Sequence, residues 1–294
     1  VRGVLNINKP AGMSSYDVLR KLKPVLKPKR LGHSGTLDPM ATGVLLVLVN
    51  EATKISRLLL NLSKDYEAEI RFGLQTDTDD LTGKVTRTAP VPEIKAEELS
   101  RVLQEKFRGE LLQVPPIFSA LKQNGVPLYR RARQGQKPVR SARKVKVEDL
   151  SLLSWEPPIA RIWCRVSAGT YIRALARDLG VALGSAATLA GLKRTRIGEF
   201  TLERSYSLSQ VLGAEKGVEG LLVPVEQALA HLPKIVVSAE QAERLQKGGA
   251  VIFLEIEAKP GSELGLALTR ESNFCALVKI KPGRLIPERI VYAE

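Results

Sequence analysis

The feature that most limits how this chain folds is a six-residue apolar run, Val44 to Val49. It is far short of the ~20 apolar residues a membrane-crossing helix needs, and it reads as a buried strand. A segment crowded with glycine, threonine and proline, Gly32 to Gly43, feeds into it as a loop. Residues 66–72 carry a second strand signal: Tyr66, Ala68, Ile70 and Phe72 fall on one face, and Glu67, Glu69 and Arg71 on the other. Further strands are expected over 145–153 and 160–166. Ser14 and Asp17 have the spacing of a capping box, which opens a helix ending near Pro24. Helices are also expected over 53–62, over 93–108 with Gly109 as the stop, and from Ile172 to about Leu183.

Two longer stretches set the organisation. Val114 to Arg143 holds four prolines and two glycines among the bases Lys122, Arg130, Arg131, Arg133, Lys137, Arg140 and Arg143. It reads as a basic excursion from the main sheet, partly ordered. Gly213 to Pro224 reads as a boundary region. Past Pro233 come short strands and one helix, capped by Ser238 with Gln241 and stopped by Gly248, which describes a small β-rich domain.

At 294 residues the chain has room for one large domain and one small one. Its net charge of +14 biases its partners towards polyanions, nucleic acid first and anionic membrane surface second. Two cysteines, Cys164 and Cys275, and two histidines, His33 and His231, are too few for a Cys/His zinc site or a disulfide framework. Both cysteines read as small core residues, which fits a reduced, cytoplasmic setting. The opening residues lack the apolar core of a signal peptide.

The densest chemical segment is Gly32-His33-Ser34-Gly35-Thr36-Leu37-Asp38-Pro39-Met40-Ala41-Thr42-Gly43. A residue before proline is confined to extended geometry, so Asp38 is presented from a stiff point. An isolated Asp-Pro is most often a turn; the surrounding run is what sets this one apart. It closely resembles the signature of the bacterial tRNA pseudouridine-55 synthases, the TruB family, with Ser34 and Met40 where that family often has Thr and Leu. The resemblance extends through Gly3 to Ser15, Lys64 to Asp79, Val114 to Lys122, Gly169 to Gly180 and Leu192 to Phe200, in the family's order.

The resemblance implies an α/β (α+β) fold: a mixed, mainly antiparallel sheet flanked by helices, with a small β-rich, PUA-like C-terminal domain. It divides the chain into a catalytic domain at 1–230, including the basic RNA-contact insertion at about 110–143, and an RNA-binding domain at 234–294. It implies isomerisation of uridine 55 in the T loop of tRNA, with the base flipped into a pocket and Asp38 as the catalytic carboxylate. By the same resemblance Tyr66 stacks on the base, Arg173 pairs with Asp38, Leu192 walls the pocket, His33 helps hold flipped nucleotides, and Tyr171 binds substrate. Lys9, Lys122, Arg130, Arg131, Arg133 and Arg143 are expected RNA contacts.

Breaking an N-glycosidic bond, turning the base and forming a C–C bond needs no redox partner or group donor, so neither cofactor nor metal is expected. A carboxylate suits the task as a nucleophile or as a base. Three rival functions are less well supported. A non-catalytic RNA binder has no need of Asp38, Tyr66 and Arg173 together. A guide-RNA-dependent synthase of the same superfamily lacks the long basic insertion. A zinc deaminase needs His-x-Glu and Pro-Cys-x-x-Cys elements that are missing here. The expectation is a cytoplasmic monomer acting on the tRNA T stem-loop, without guide RNA and without a membrane.

Overall fold

A computed structural model describes residues 2–119, 122–123, 126–127, 134, 139–214, 217–253 and 263–289. In it the apolar run is buried on both faces. Leu45, Val47 and Val49 enter one hydrophobic core, and Val44, Leu46 and Leu48 enter a second. Each such side chain contributes ~1.5–3 kcal/mol by leaving water, so this strand fixes the centre of the molecule.

In chain order the elements are β1 (Gly3–Lys9), α1 (Ser15–Leu26), β2 (Leu31–Ser34), β3 (Thr42–Val49), α2 (Ser56–Leu60), β4 (Lys64–Phe72), β5 (Leu74–Thr76), β6 (Val85–Thr88), α3 (Ala96–Phe107), β7 (Gly109–Gln113), β8 (Lys122–Gln123) and β9 (Val126–Pro127). There follow β10 (Arg143–Glu156), β11 (Ile159–Val166), α4 (Ile172–Ala182), β12 (Ala187–Ile197), β13 (Phe200–Thr201), β14 (Tyr206–Ser207), α5 (Leu208–Leu212) and α6 (Val225–Ala228). The tail holds β15 (Lys234–Val236), α7 (Ala239–Gln246), β16 (Val251–Ile252), β17 (Leu264–Leu268), β18 (Phe274–Lys281) and β19 (Arg284–Arg289).

The main sheet runs β14-β1-β3-β12-β4-β11-β10-β7, with β2 beside β3 and β13 beside β12. Among the described residues, only β1/β14 and β3/β12 are parallel pairs in it; the rest are antiparallel, as expected. Helices α1, α3 and α4 cover one face through Val18, Leu22, Leu26, Leu99, Leu103, Phe107, Leu175 and Leu179. On the other face Val44, Leu46 and Leu48 pack with Val225, Leu229, Leu266 and Leu277. The last two belong to the tail's own five-stranded sheet, β15-β17-β18-β19-β16, so the two sheets share a core.

Several local expectations are corrected. Pro24 lies inside α1, which runs on to Leu26 and ends with Lys27 in a left-handed conformation, φ 41°. The Gly32–Gly43 loop is shorter than expected, because residues 32–34 already pair with β3 and place His33 opposite Val47. The helix expected over 53–62 is a 3-10 turn, Asn50–Ile55, followed by α2. It ends at Leu60, and the Lys64 ammonium satisfies the Leu60 and Leu62 carbonyls at 2.8 and 2.6 Å. Gly109 does not cap α3: Arg108 turns extended, and Gly109, φ 98°, opens β7 directly. Val223 is bonded in both directions to Val4 at 2.8 Å, which knits the 213–224 stretch to β1. The capping boxes at Ser14/Asp17 and Ser238/Gln241 form as read.

Candidate active site

Asp38 lies on the loop between β2 and β3, and that loop is pinned along its length. Ser15, in the first turn of α1, accepts the Leu37 N–H at 2.9 Å and donates to the Leu37 carbonyl at 3.2 Å. The Gly12 N–H reaches the Pro39 carbonyl at 2.8 Å, and the Ala41 N–H closes a turn on the Asp38 carbonyl at 3.0 Å. Arg194 of β12, almost wholly buried, donates to the carbonyls of Gly35 at 2.9 Å and Val44 at 2.7 Å. Gly43, φ 100°, lets β12 come this near: a Cβ there would lie 2.2 Å from the Arg194 carbonyl oxygen. A left-handed backbone with no room for a methyl group leaves only glycine.

Arg173 enters from the first turn of α4 and grips the carboxylate with two nitrogens, Nε to Oδ2 at 2.9 Å and Nη2 to Oδ1 at 3.3 Å. Its remaining N–H groups hold the Phe118 carbonyl at 2.9 Å and the Thr78 carbonyl at 3.1 Å. One guanidinium therefore ties together the Asp38 loop, the root of the basic insertion and the turn after β5. A two-pronged guanidinium–carboxylate pair fixes orientation as well as charge. Burial still pushes the Asp38 carboxyl above the usual carboxylate range; Arg173 and Lys9 oppose that, and Asp80 adds to it. About a third of the Asp38 side chain remains exposed, so the group faces an opening.

Tyr171 precedes α4 without a side-chain cap of its own. The buried Gln113 amide holds it instead, accepting its N–H at 2.8 Å and donating to its carbonyl at 3.1 Å. Burial raises the Tyr171 phenol, which lies within electrostatic range of Arg173, Arg143 and Asp38. Tyr66 and Leu192 are placed by register: Leu192 opposes Ala68 and Arg194 opposes Tyr66, so all four share one face of the sheet. Tyr66 is 7% exposed. The His33 imidazole is disfavoured as a cation by burial and then by Arg194, and among the described residues its Nδ1 has no hydrogen-bond partner.

Lys9 departs from expectation. It is fully buried, and its ammonium donates to the carbonyls of Pro10, Met13 and Pro39 at 2.8, 2.7 and 3.4 Å. With no exposed surface, it ties the Asp38 loop to the segment after β1 rather than presenting a charge at the surface. Burial lowers its pKa to about 8, partly offset by Asp38. Arg143 is exposed at the start of β10, opposite Gln113. Arg130, Arg131 and Arg133 lie outside the described residues; at Lys122 only the backbone is described. The roles of Arg194 and Gln113 were not read from the sequence. A cation two residues after Leu192 on the same strand face was the available signal for the first.

The TruB family pseudouridylate synthase N-terminal domain matches residues 23–172, and the tRNA pseudouridylate synthase B C-terminal domain matches residues 173–230. The chain belongs to the TruB family of pseudouridylate synthases. It is 38% identical to tRNA pseudouridine synthase B of Azoarcus sp., across all of this chain and 96% of that one. It is 41% identical to the enzyme of the same name from Aromatoleum aromaticum, across 99% and 93%. Among solved structures, an H/ACA ribonucleoprotein bound to a substrate RNA containing 2'-deoxyuridine superposes with TM-score 0.75 at 26% identity, over 99% of this chain and 85% of that one. A Cbf5-Nop10-Gar1 complex gives 0.74 at 27%, over 98% and 84%. These superpositions cover the tail as well as the main sheet. Among the described residues no helix is long and apolar enough to cross a membrane.

Proposed function

We propose that the chain converts the T-loop uridine at position 55 of tRNA to pseudouridine, with Asp38 as the catalytic carboxylate. The observation that carries this reading is the two-pronged Arg173–Asp38 pair, which leaves about a third of the Asp38 side chain exposed. Burial favours the neutral form of Asp38, whereas the guanidinium favours the ionised form that can attack or accept a proton. The reaction breaks the N1–C1′ bond, rotates the base and joins C5 to C1′. The C5 proton leaves to solvent and N1 takes one up, so no electrons are exchanged. Tyr66 offers an aromatic face to the extruded base and Leu192 an apolar wall. His33 and Tyr171 hold flanking nucleotides, and the insertion carrying Arg143 embraces the stem. The tail serves as a PUA-like RNA-binding domain.

The chain acts as a cytoplasmic monomer without guide RNA. Support for tRNA as the substrate comes from relatives that share nearly its full length and are each called tRNA pseudouridine synthase B. The test is tritium release from a tRNA transcript labelled at uridine C5, with nucleotide mapping of the product. Wild type should release tritium from the T-loop uridine. Asp38→Asn should lose turnover by about a thousandfold or more, the scale of a positioned acid–base or nucleophilic group, and still bind the transcript. Turnover close to wild type in that variant would refute the role of Asp38.

A further inference from the structure

Helix α1 meets the Asp38 loop at its first turn, and its outer face has no role in the catalytic geometry. Tyr16, beside the Ser15 that holds Leu37, is 70% exposed. From there Arg20, Lys23 and Lys27 recur at spacings of four, three and four residues, all exposed, with Lys21 alongside and Lys29 and Arg30 just beyond. Tyr16, Arg20 and Lys23 form one helical stripe, and Lys27, the left-handed cap of α1, follows at its end. Between Asp17 and Asp38 the sequence contains no carboxylate. Arg20 is paired with Asp17 at 2.7 Å.

One or two cations in a last turn complement the helix dipole. Six exposed cations between Arg20 and Arg30 exceed that need, and they repel one another. From Tyr16 to Lys27 the stripe covers ~16 Å, with a charge at roughly every helical turn. That suits a row of phosphates, headed by an exposed aromatic at the cleft end.

We propose that this face, Tyr16 to Arg30, is a second RNA surface that takes the phosphate backbone of tRNA where the strand leaves the catalytic cleft. The proposal rests on the reading of the Asp38 site as one that acts on tRNA. It adds to the basic insertion a surface on a different element, α1 and the turn that follows it.

The test neutralises Lys23, Lys27 and Lys29 together (Lys23→Gln, Lys27→Gln, Lys29→Gln) and compares this with an equal charge reduction on α3 and its entry (Lys95→Gln, Arg101→Gln, Lys106→Gln). Affinity for a tRNA transcript is measured against salt, and turnover is measured separately. Removing one phosphate-neutralising side chain lowers the slope of log affinity on log salt by about 0.7–0.9. The α1 triple variant should therefore drop the slope by about 2 and raise KM at least about tenfold, with kcat retained; the α3 control should move neither by half as much. Lys27→Gln alone, with folding checked by its melting curve, should take about one unit from the slope. Equal effects of the two triples, or an unmoved slope, would overturn the proposal. Wild type that binds tRNA but makes no pseudouridine would instead fail the reading of the site, leaving the binding comparison to decide this one.

Discussion

Asp38 and Asp65 are both gripped by arginine, yet their carboxyls shift in opposite directions. At Asp65 burial raises the pKa, but Arg165 at 3.0 Å and Arg196 at 2.9 Å outweigh it and hold the carboxyl below its usual range. At Asp38 burial wins and the carboxyl lies above it. Ionised Asp65 therefore stabilises the fold above an ordinary carboxylate pKa of about 4, and that contribution fades as pH falls through its lowered value. Asp38 has the reverse sign: ionising it costs stability as pH rises from about 4 through its raised value, and the cost persists at neutral pH. Asp38→Asn should thus be at least as resistant to urea as wild type at pH 7, with the difference vanishing below about pH 4; a clearly less stable variant at pH 7 would contradict this. Arg173 lowers the Asp38 pKa, so Arg173→Lys, which gives up the fork, should move the acid limb of kcat/KM to higher pH and reduce kcat. A limb left in place would show that Asp38 is not the group titrating. Asp38 and Arg173 were legible because each lies in a dense local run. Lys9 was misread as a surface charge, although it follows Leu5 and Ile7 on the same strand face, which points it into the core.

The elements were read well where the signal was periodic. The alternation over 66–72 became β4 with Tyr66, Ala68, Ile70 and Phe72 buried, and both strong capping boxes formed. They were read poorly where a distant group decided the outcome. Lys64 satisfies the carbonyls at the end of α2 from beyond it, and no local rule at 53–62 reveals that. Likewise the parallel contact of β3 with β12, residue 43 against residue 194, is invisible until the sheet order is known. This junction makes a sharp prediction. Gly43→Ala meets backbone rather than a yielding side chain, so β12 must withdraw from the Asp38 loop. A loss of about 2–4 kcal/mol by chemical denaturation, with turnover falling further than tRNA binding, is expected from overpacking and left-handed strain together. A variant of native stability and rate would show that β3 and β12 are less tightly joined than this.

For the molecule as a whole, the tail is more than an appended module. Leu266 and Leu277 complete a core whose other walls are β3 and the 225–229 segment. Heating should therefore melt both sheets in one calorimetric transition, and a chain ending at residue 230 should unfold at lower temperature and aggregate, because it leaves a large apolar face in water. Two well-separated transitions would argue for independent units.

The strand order also bears on how the chain comes off the ribosome. β3 and β4 lie near each other in sequence, but β12 separates them in the sheet. β3 is partnered at once by β1 and β2, which are made before it, but β4 waits from Phe72 until Ile159 for its first partner, β11, as an open edge able to zip onto a wrong neighbour. Loop closure over that length is slow, and non-local pairing is the slow step in folding sheets. Cells making this enzyme quickly, or in the cold, would meet that trap before they met any weakness in the finished protein.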